Sequence, residues 1–325
     1  MSTTSIVHLS DVQTRPRAFT IWEKCRHSSA HWLVECFAEF LGVFFYVYLG
    51  VGSQVGYIVS NILKLEGFGS LLQTGLGYFA GIVFAITTCS STSGGHFNPA
   101  ATVALVVFRG FPPLKAIRYI IAQILGSYVA CLLVHVQWHD MIKESELALA
   151  SANLLESTLF TSAGPAGAFA FYVLPGSNLA RVFLNEFVTD TLLAMVIWGS
   201  LDPTSLVVPP SSAPWVIAMA FCSAIWGFSG PGLAANPARD LGGRFAALTI
   251  YGKAASGGKY AAIAALTAFP ATIFGVLLYE IFLADSARVI PSAQREFMDA
   301  HHFHARNTAR TLLSDTSKKK VDIVV

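Results

Sequence analysis

The sequence predicts an all-α integral membrane protein, with six transmembrane helices and two re-entrant half-helices arranged as an inverted repeat. Composition is the first of three observations behind this reading. Apolar residues form 54% of the chain, charged residues only 12%, and the mean hydropathy is +0.57, whereas soluble globular proteins carry about 25% charge. The second is where charge is missing. No Asp, Glu, Lys or Arg occurs in 67–108 or in 203–238, and each stretch exceeds the roughly 20 apolar residues that one spanning helix needs. The third is internal repetition: Ala38-Glu39-Phe40 opens one half and Asn185-Glu186-Phe187 the other, while Asn98-Pro99-Ala100 and Asn236-Pro237-Ala238 each lie near the end of an uncharged stretch.

Spans are expected at 33–55, 71–88, 116–136, 179–201, 213–230 and 260–283. An even number puts both termini on one side. Arg15, Arg17, Lys24 and Arg26, then Arg109, Lys115 and Arg118, then the basic residues of 288–320 assign that side to the cytoplasm, with Lys64, Lys143, Arg181, Lys253 and Lys259 as exceptions. The chain therefore divides into a cytoplasmic arm (1–32), a channel domain (33–283) and a polar cytoplasmic tail (284–325) expected to be disordered. Within the channel domain, halves 33–137 and 179–283 are joined by an external loop, 138–178. Each half has three spans, an odd number, so the two lie upside down relative to one another. Gly42, Gly77, Gly81 and Gly126 let the spans approach closely. A net charge of +2 gives no reason to expect nucleic acid. The five cysteines, mostly single residues in apolar segments, form neither a metal spacing nor a disulfide framework.

Each uncharged stretch holds a span, a Ser/Gly/Pro-rich bend and a short apolar helix. Asn caps a helix well and Pro suits its first position, so Asn98-Pro99 and Asn236-Pro237 are helix starts. Non-helical backbone at membrane depth must be covered by protein or border water. The economical arrangement is two half-helices meeting at mid-membrane beside a watery path, their positive ends repelling cations and protons. The two asparagine amides would orient a passing solute and interrupt its hydrogen-bonded chain. Glu39 and Glu186, costly in a membrane, need donors, and the unpaired backbone N–H groups of the two bends supply them.

The run from Ser93 to Ala100 and the run Asn236-Pro237-Ala238-Arg239-Asp240, with Ala38 to Gly42, Ala122-Gln123 and Asn185 to Phe187, resemble the signature segments of the major intrinsic proteins, the aquaporins and aquaglyceroporins. The resemblance covers roughly 33–283 and implies the aquaporin fold, in a tetramer with one pore per subunit. It also implies that Arg239 stands at the narrow outer constriction, in a ring completed by Tyr78, Ala224 and Leu233. Ala224 occupies the place of a His in water-selective members, which implies a wider and more apolar opening. Asp240 and Arg244, four residues apart and able to pair on a helix, are similar to the aquaglyceroporin branch, as is Phe169-Ala170-Phe171-Tyr172. Leu233, however, replaces the aromatic common in that branch, and its usual Pro-Leu pair is at best Pro270-Ala271.

The function expected is passive conduction of glycerol, water and other small neutral solutes across a lipid bilayer, with ions and protons excluded. Neither an enzyme activity nor a cofactor or metal is expected, and the plasma membrane is the expected location. A water-selective pore, a closed protein with a structural or osmosensing role, and an ion-coupled transporter are the alternatives. Tyr78 has a second reading as packing between helices, and Arg239 one as an ion pair with Asp240. His96 lines the inner vestibule or acts as a pH gate, with the lining preferred. Asp190 and Glu280 bear on transport or serve interface and capping roles. The cluster from His301 to His304 and the hydroxyls of Ser314, Thr316 and Ser317 invite metal, pH or phosphorylation roles, against which solvated tail residues are the simpler reading.

Overall fold

The computed structural model describes residues 7, 9–27 and 30–301, all helix, turn and loop. His302, Phe303, His304, Ser314, Thr316 and Ser317 lie outside the described residues. The chain divides into two compact units, one of 1–35 with 297–325 and one of 36–296. The terminal unit contains α1 (Leu9–Val12) and α2 (Arg17–His27). Lys24, Arg26 and His27 occupy the last turn of α2, where cations complement the carbonyl end of a helix.

Helix α3 (His31–Leu63), which belongs to the larger unit from Cys36 onward, runs beyond the predicted span, because no proline interrupts it before Lys64 takes a left-handed φ of 56°. Helix α4 (Leu71–Ser93) starts on the Ser70 side-chain cap and stops where Gly94 turns left-handed, its N–H returning to Ser90 O. Then come the half-helix α5 (Pro99–Arg109) and the span α6 (Pro113–Gln137). The connection 138–178 is more structured than the sequence suggested. It holds α7 (His139–Ser151), which buries Ile142, Ser145 and Leu149 along one stripe, and the single turn α8 (Leu155–Thr158).

The second half repeats the order: α9 (Leu179–Leu201), α10 (Ala213–Phe228), then the half-helix α11 (Pro237–Tyr251). Its last span is split into α12 (Gly258–Leu266) and α13 (Ala268–Phe282). Pro270 has no N–H to donate back to Leu266, which explains the break. Helices α3, α4, α6, α9 and the stretch Gly258–Phe282 are long and apolar enough to cross a bilayer. The fifth expected segment instead forms α10, at 16 residues a shorter helix of about 24 Å. Beyond α13, 292–301 are helical, and Gln294 Nε2 donates to Ser205 O at 2.6 Å.

Packing follows the repeat. Helix α10 lies on α4, α13 on α9, α11 on α6, and α5 on both α6 and α13, so each half-helix leans on the last span of the opposite half. Small residues make this possible: a Cβ on Gly126 would stand 2.2 Å from Phe40 O. Phe84, Ile117, Ile121, Leu192 and Phe274 point outward, as side chains do when the surrounding solvent is lipid. Replacing Gly126 by Val forces α3 and α6 apart and should destabilise the bundle by about 1–3 kcal/mol. A lower melting temperature of the detergent-purified protein is the expected result; an unchanged one would show that the contact is not tight.

Candidate functional site

The two bends before the half-helices are built alike. Phe97 and Ala235, each just before a capping asparagine, adopt left-handed φ values of 46° and 56°, a conformation uncommon outside glycine and kept only where surroundings enforce it. Buried glutamates do so here. Glu39 accepts from Phe97 N at 2.8 Å and His96 N at 3.0 Å, as well as from Ser93 Oγ and Gln123 Nε2. Glu186 accepts from Ala234 N and Ala235 N, each at 2.8 Å. Both side chains are fully buried, and these bonds offset the cost of placing a carboxylate there.

The capping asparagines cross over. Asn98 Oδ1 caps α5 by accepting from Ala100 N, and Asn236 Oδ1 caps α11 by accepting from Ala238 N. Their amide nitrogens donate across the pseudo-dyad, Asn98 Nδ2 to Ala235 O at 3.4 Å and Asn236 Nδ2 to Phe97 O at 2.9 Å. The left-handed residue thus aims its N–H at a glutamate and its carbonyl at the opposite asparagine. Pro99 and Pro237 take the first helical positions, and Ala100 and Ala238 are fully buried. Asn236 also donates to Tyr46 Oη at 2.8 Å. Its two N–H groups are therefore both engaged, whereas Asn98 keeps one to spare among the described residues.

Arg239, 2% exposed, gathers groups from three parts of the chain. Its Nε donates to Tyr78 Oη at 2.9 Å, one Nη to Phe169 O, and the other to Gln54 Oε1 at 3.1 Å and Ala168 O at 3.2 Å. Its guanidinium carbon lies 3.9 Å from the centre of the Phe171 ring. Four of its five N–H groups are thereby placed, and one has no partner among the described residues. Asp240 pairs with Arg244 at 2.8 Å, not with Arg239, and Arg244 donates to Phe171 O at 2.7 Å. A Cβ on Gly243 would stand 2.1 Å from Phe169 O, so glycine there lets the connection 165–172 lie directly on α11.

The structure thus brings Tyr78 to Arg239, while Ala224 and Leu233 form a separate small apolar cluster with Leu193. His96 places Nδ1 3.2 Å from Thr102 Oγ1, and its ring lies against Phe111 and Tyr119. Glu280 pairs with Arg109 at 2.6 Å and accepts from Trp198 Nε1. Asp190 lies in the middle of α9 and is 3% exposed, with neither carboxyl oxygen hydrogen-bonded among the described residues. Sequence reasoning missed Gln54, Tyr46 and Phe171 as parts of the site. Gln54 and Tyr46 sit in a span far from either motif and carry no local signal. Phe171 belongs to an aromatic run that was noticed without a role.

Apolar helices around two crossed, capped half-helices define a membrane channel. The chain belongs to the major intrinsic protein family, whose model matches residues 26–255 and whose members are channels, not enzymes. Aquaporin-3 of Laccaria bicolor is 53% identical over 309 residues, covering 94% of each chain. The glycerol uptake facilitator protein of Haemophilus influenzae is 33% identical over 214 residues, 65% of this chain and 76% of that one. The X-ray structure of the aquaglyceroporin from Plasmodium falciparum matches with a TM-score of 0.65 at 24% identity, over 78% of this chain and 97% of that one, which shows the shared fold.

Glu186→Ala removes the acceptor of two buried N–H groups beside Asn236 and should destabilise the protein by about 3 kcal/mol or more. Glu186→Gln retains one acceptor and should lose less. Thermal unfolding in detergent measures both, and equal stability of Glu186→Ala and the unsubstituted protein would contradict the bracing role.

Proposed function

We propose that the chain is a passive channel for glycerol and water that excludes ions and protons, working as a homotetramer in the plasma membrane with both termini in the cytoplasm. The observation that carries the reading is the state of Arg239: a guanidinium fixed by four hydrogen bonds and left with one N–H. A fixed charge repels cations, and a spare donor can hold one hydroxyl at a time. Asn98 supplies a second spare donor deeper in, at the crossing of the half-helices. The apolar cluster of Leu193, Ala224 and Leu233 supports polyol passage by offering carbon–hydrogen surface. In this assignment Tyr78, Ala224, Leu233 and Arg239 select the solute, Asn98 and Asn236 orient it, and His96 lines the vestibule. Glycerol is favoured over water alone by Ala224 and Leu233, and by the family resemblance to glycerol-conducting relatives.

Stopped-flow light scattering on proteoliposomes tests this. An impermeant osmolyte should cause protein-dependent shrinkage, and glycerol should cause shrinkage followed by re-entry that does not saturate. Shrinkage without re-entry makes the pore water-selective, and saturable, gradient-coupled uptake makes it a transporter. Arg239→Ala should admit larger or charged solutes that the original pore rejects; an unchanged permeability profile would remove Arg239 from the constriction.

A further inference from the structure

We infer that the Tyr46 hydroxyl takes the place of Asn236 at the centre of the pore, so that a passing solute hydroxyl meets one amide donor, on Asn98, and one phenolic acceptor, on Tyr46. The inference deepens the channel reading above and rests on it. Its first support is the set of hydrogen bonds at the crossing. Asn236 Nδ2 has two N–H groups and directs both inside the protein, to Phe97 O at 2.9 Å and to Tyr46 Oη at 2.8 Å. Tyr46 Oη donates its own proton to the same carbonyl of Phe97 at 3.3 Å. A hydroxyl oxygen has two lone pairs, and among the described residues the amide occupies only one. This side of the crossing therefore offers a solute an acceptor, whereas Asn98 offers an N–H. Tyr46, Asn98 and Asn236 are 6%, 9% and 6% exposed, the residual surface of groups that border an interior path.

The second support is the repeat. Tyr46 lies seven residues after Glu39, and the residue seven after Glu186 is Leu193. Leu193 has no hydroxyl and packs with Ala224, Leu233 and Ala235, so it cannot take the matching N–H of Asn98. The two halves thus differ at one side chain, and that difference decides which asparagine faces the solute. The third support is fixation. A Cβ on Gly42 would stand 2.1 Å from the Phe97 ring, and one on Gly81 2.4 Å from Tyr46 Cα. Gly42 and Tyr46 are four residues apart on α3 and share a face, so α3 carries the phenol against the bend while α4 closes on its backbone. Tyr46 is held within reach of Asn236, and Asn236 acts on the solute through it, as the group that positions the hydroxyl. A permeant that both donates and accepts, as a polyol hydroxyl does, satisfies this centre; one that only accepts does not.

The test is a double-variant cycle in proteoliposomes, with the glycerol-to-water permeability ratio measured for the original channel, Tyr46→Phe, Asn236→Ser and the two combined. Tyr46→Phe keeps the ring, removes the acceptor and turns an Asn236 N–H towards the solute. Asn236→Ser keeps a helix cap and removes the amide that positions the phenol. Each should lower the ratio about fivefold, the scale of one lost hydrogen bond, because water, smaller and free to turn, finds other partners where a glycerol hydroxyl does not. The double variant should fall no further than either single one. An unchanged ratio in Tyr46→Phe, which leaves Tyr46 as packing, or losses that multiply in the double variant overturn the inference. Should Asn236→Ser fail to fold, the ratio in Tyr46→Phe decides alone. Failure of the glycerol reading is separable, because it shows in the unsubstituted protein as water flux without glycerol flux. In that event the cycle is read in water flux: a slower Tyr46→Phe pore with no further loss in the double variant keeps the assignment, and one as fast as the original sinks it.

Discussion

Backbone that leaves a helix inside an apolar medium must have every polar group satisfied, and the whole of this channel is arranged around that demand. The two bends meet it with one device used twice. A non-glycine residue held left-handed splits its polar groups, sending the N–H to a buried glutamate and the carbonyl to an asparagine of the other half. Each bend thus needs its own half for its acceptor and the opposite half for its donor. Neither repeat can complete its bend alone, which ties the inverted halves together more specifically than the packing of apolar helices could.

The far end of the site works on the same demand with different materials. Four carbonyls of the 165–172 connection are met by side chains, that of Gly167 by Gln54 and those of Ala168, Phe169 and Phe171 by the arginines of α11. Arg239 is consequently both an electrostatic element and a structural one: its position depends on the connection, and the connection's on it. Asp240 and Arg244 extend the arrangement one turn along the half-helix.

Much of this was legible in the sequence because its physics is local. Asn-Pro marks a helix start wherever it occurs, a glutamate in an apolar span demands donors, and two such pairs at repeated positions specify an inverted repeat. The connection was read as loop because its polarity outweighed a short stripe of Ile142 and Leu149, which α7 buries. The length of α10 was overestimated because Ser229 and Gly230 continue an apolar run that the backbone abandons at Phe228. Gln54, Tyr46 and Phe171 were not found because their roles arise from three-dimensional convergence: Gln54 meets Arg239 across 185 positions and Tyr46 meets Asn236 across 190. Nothing in the neighbourhood of either residue announces such a partner.

The brevity of α10 reaches beyond the protein itself. A helix of 16 residues is about 24 Å long, short of the roughly 30 Å hydrocarbon layer. Just ahead of it Leu206 and Val207 stand 85% and 86% exposed, apolar side chains that make up part of the missing height at the rim. Where so short a helix faces lipid, the mismatch carries an elastic cost that falls as the acyl chains around it shorten.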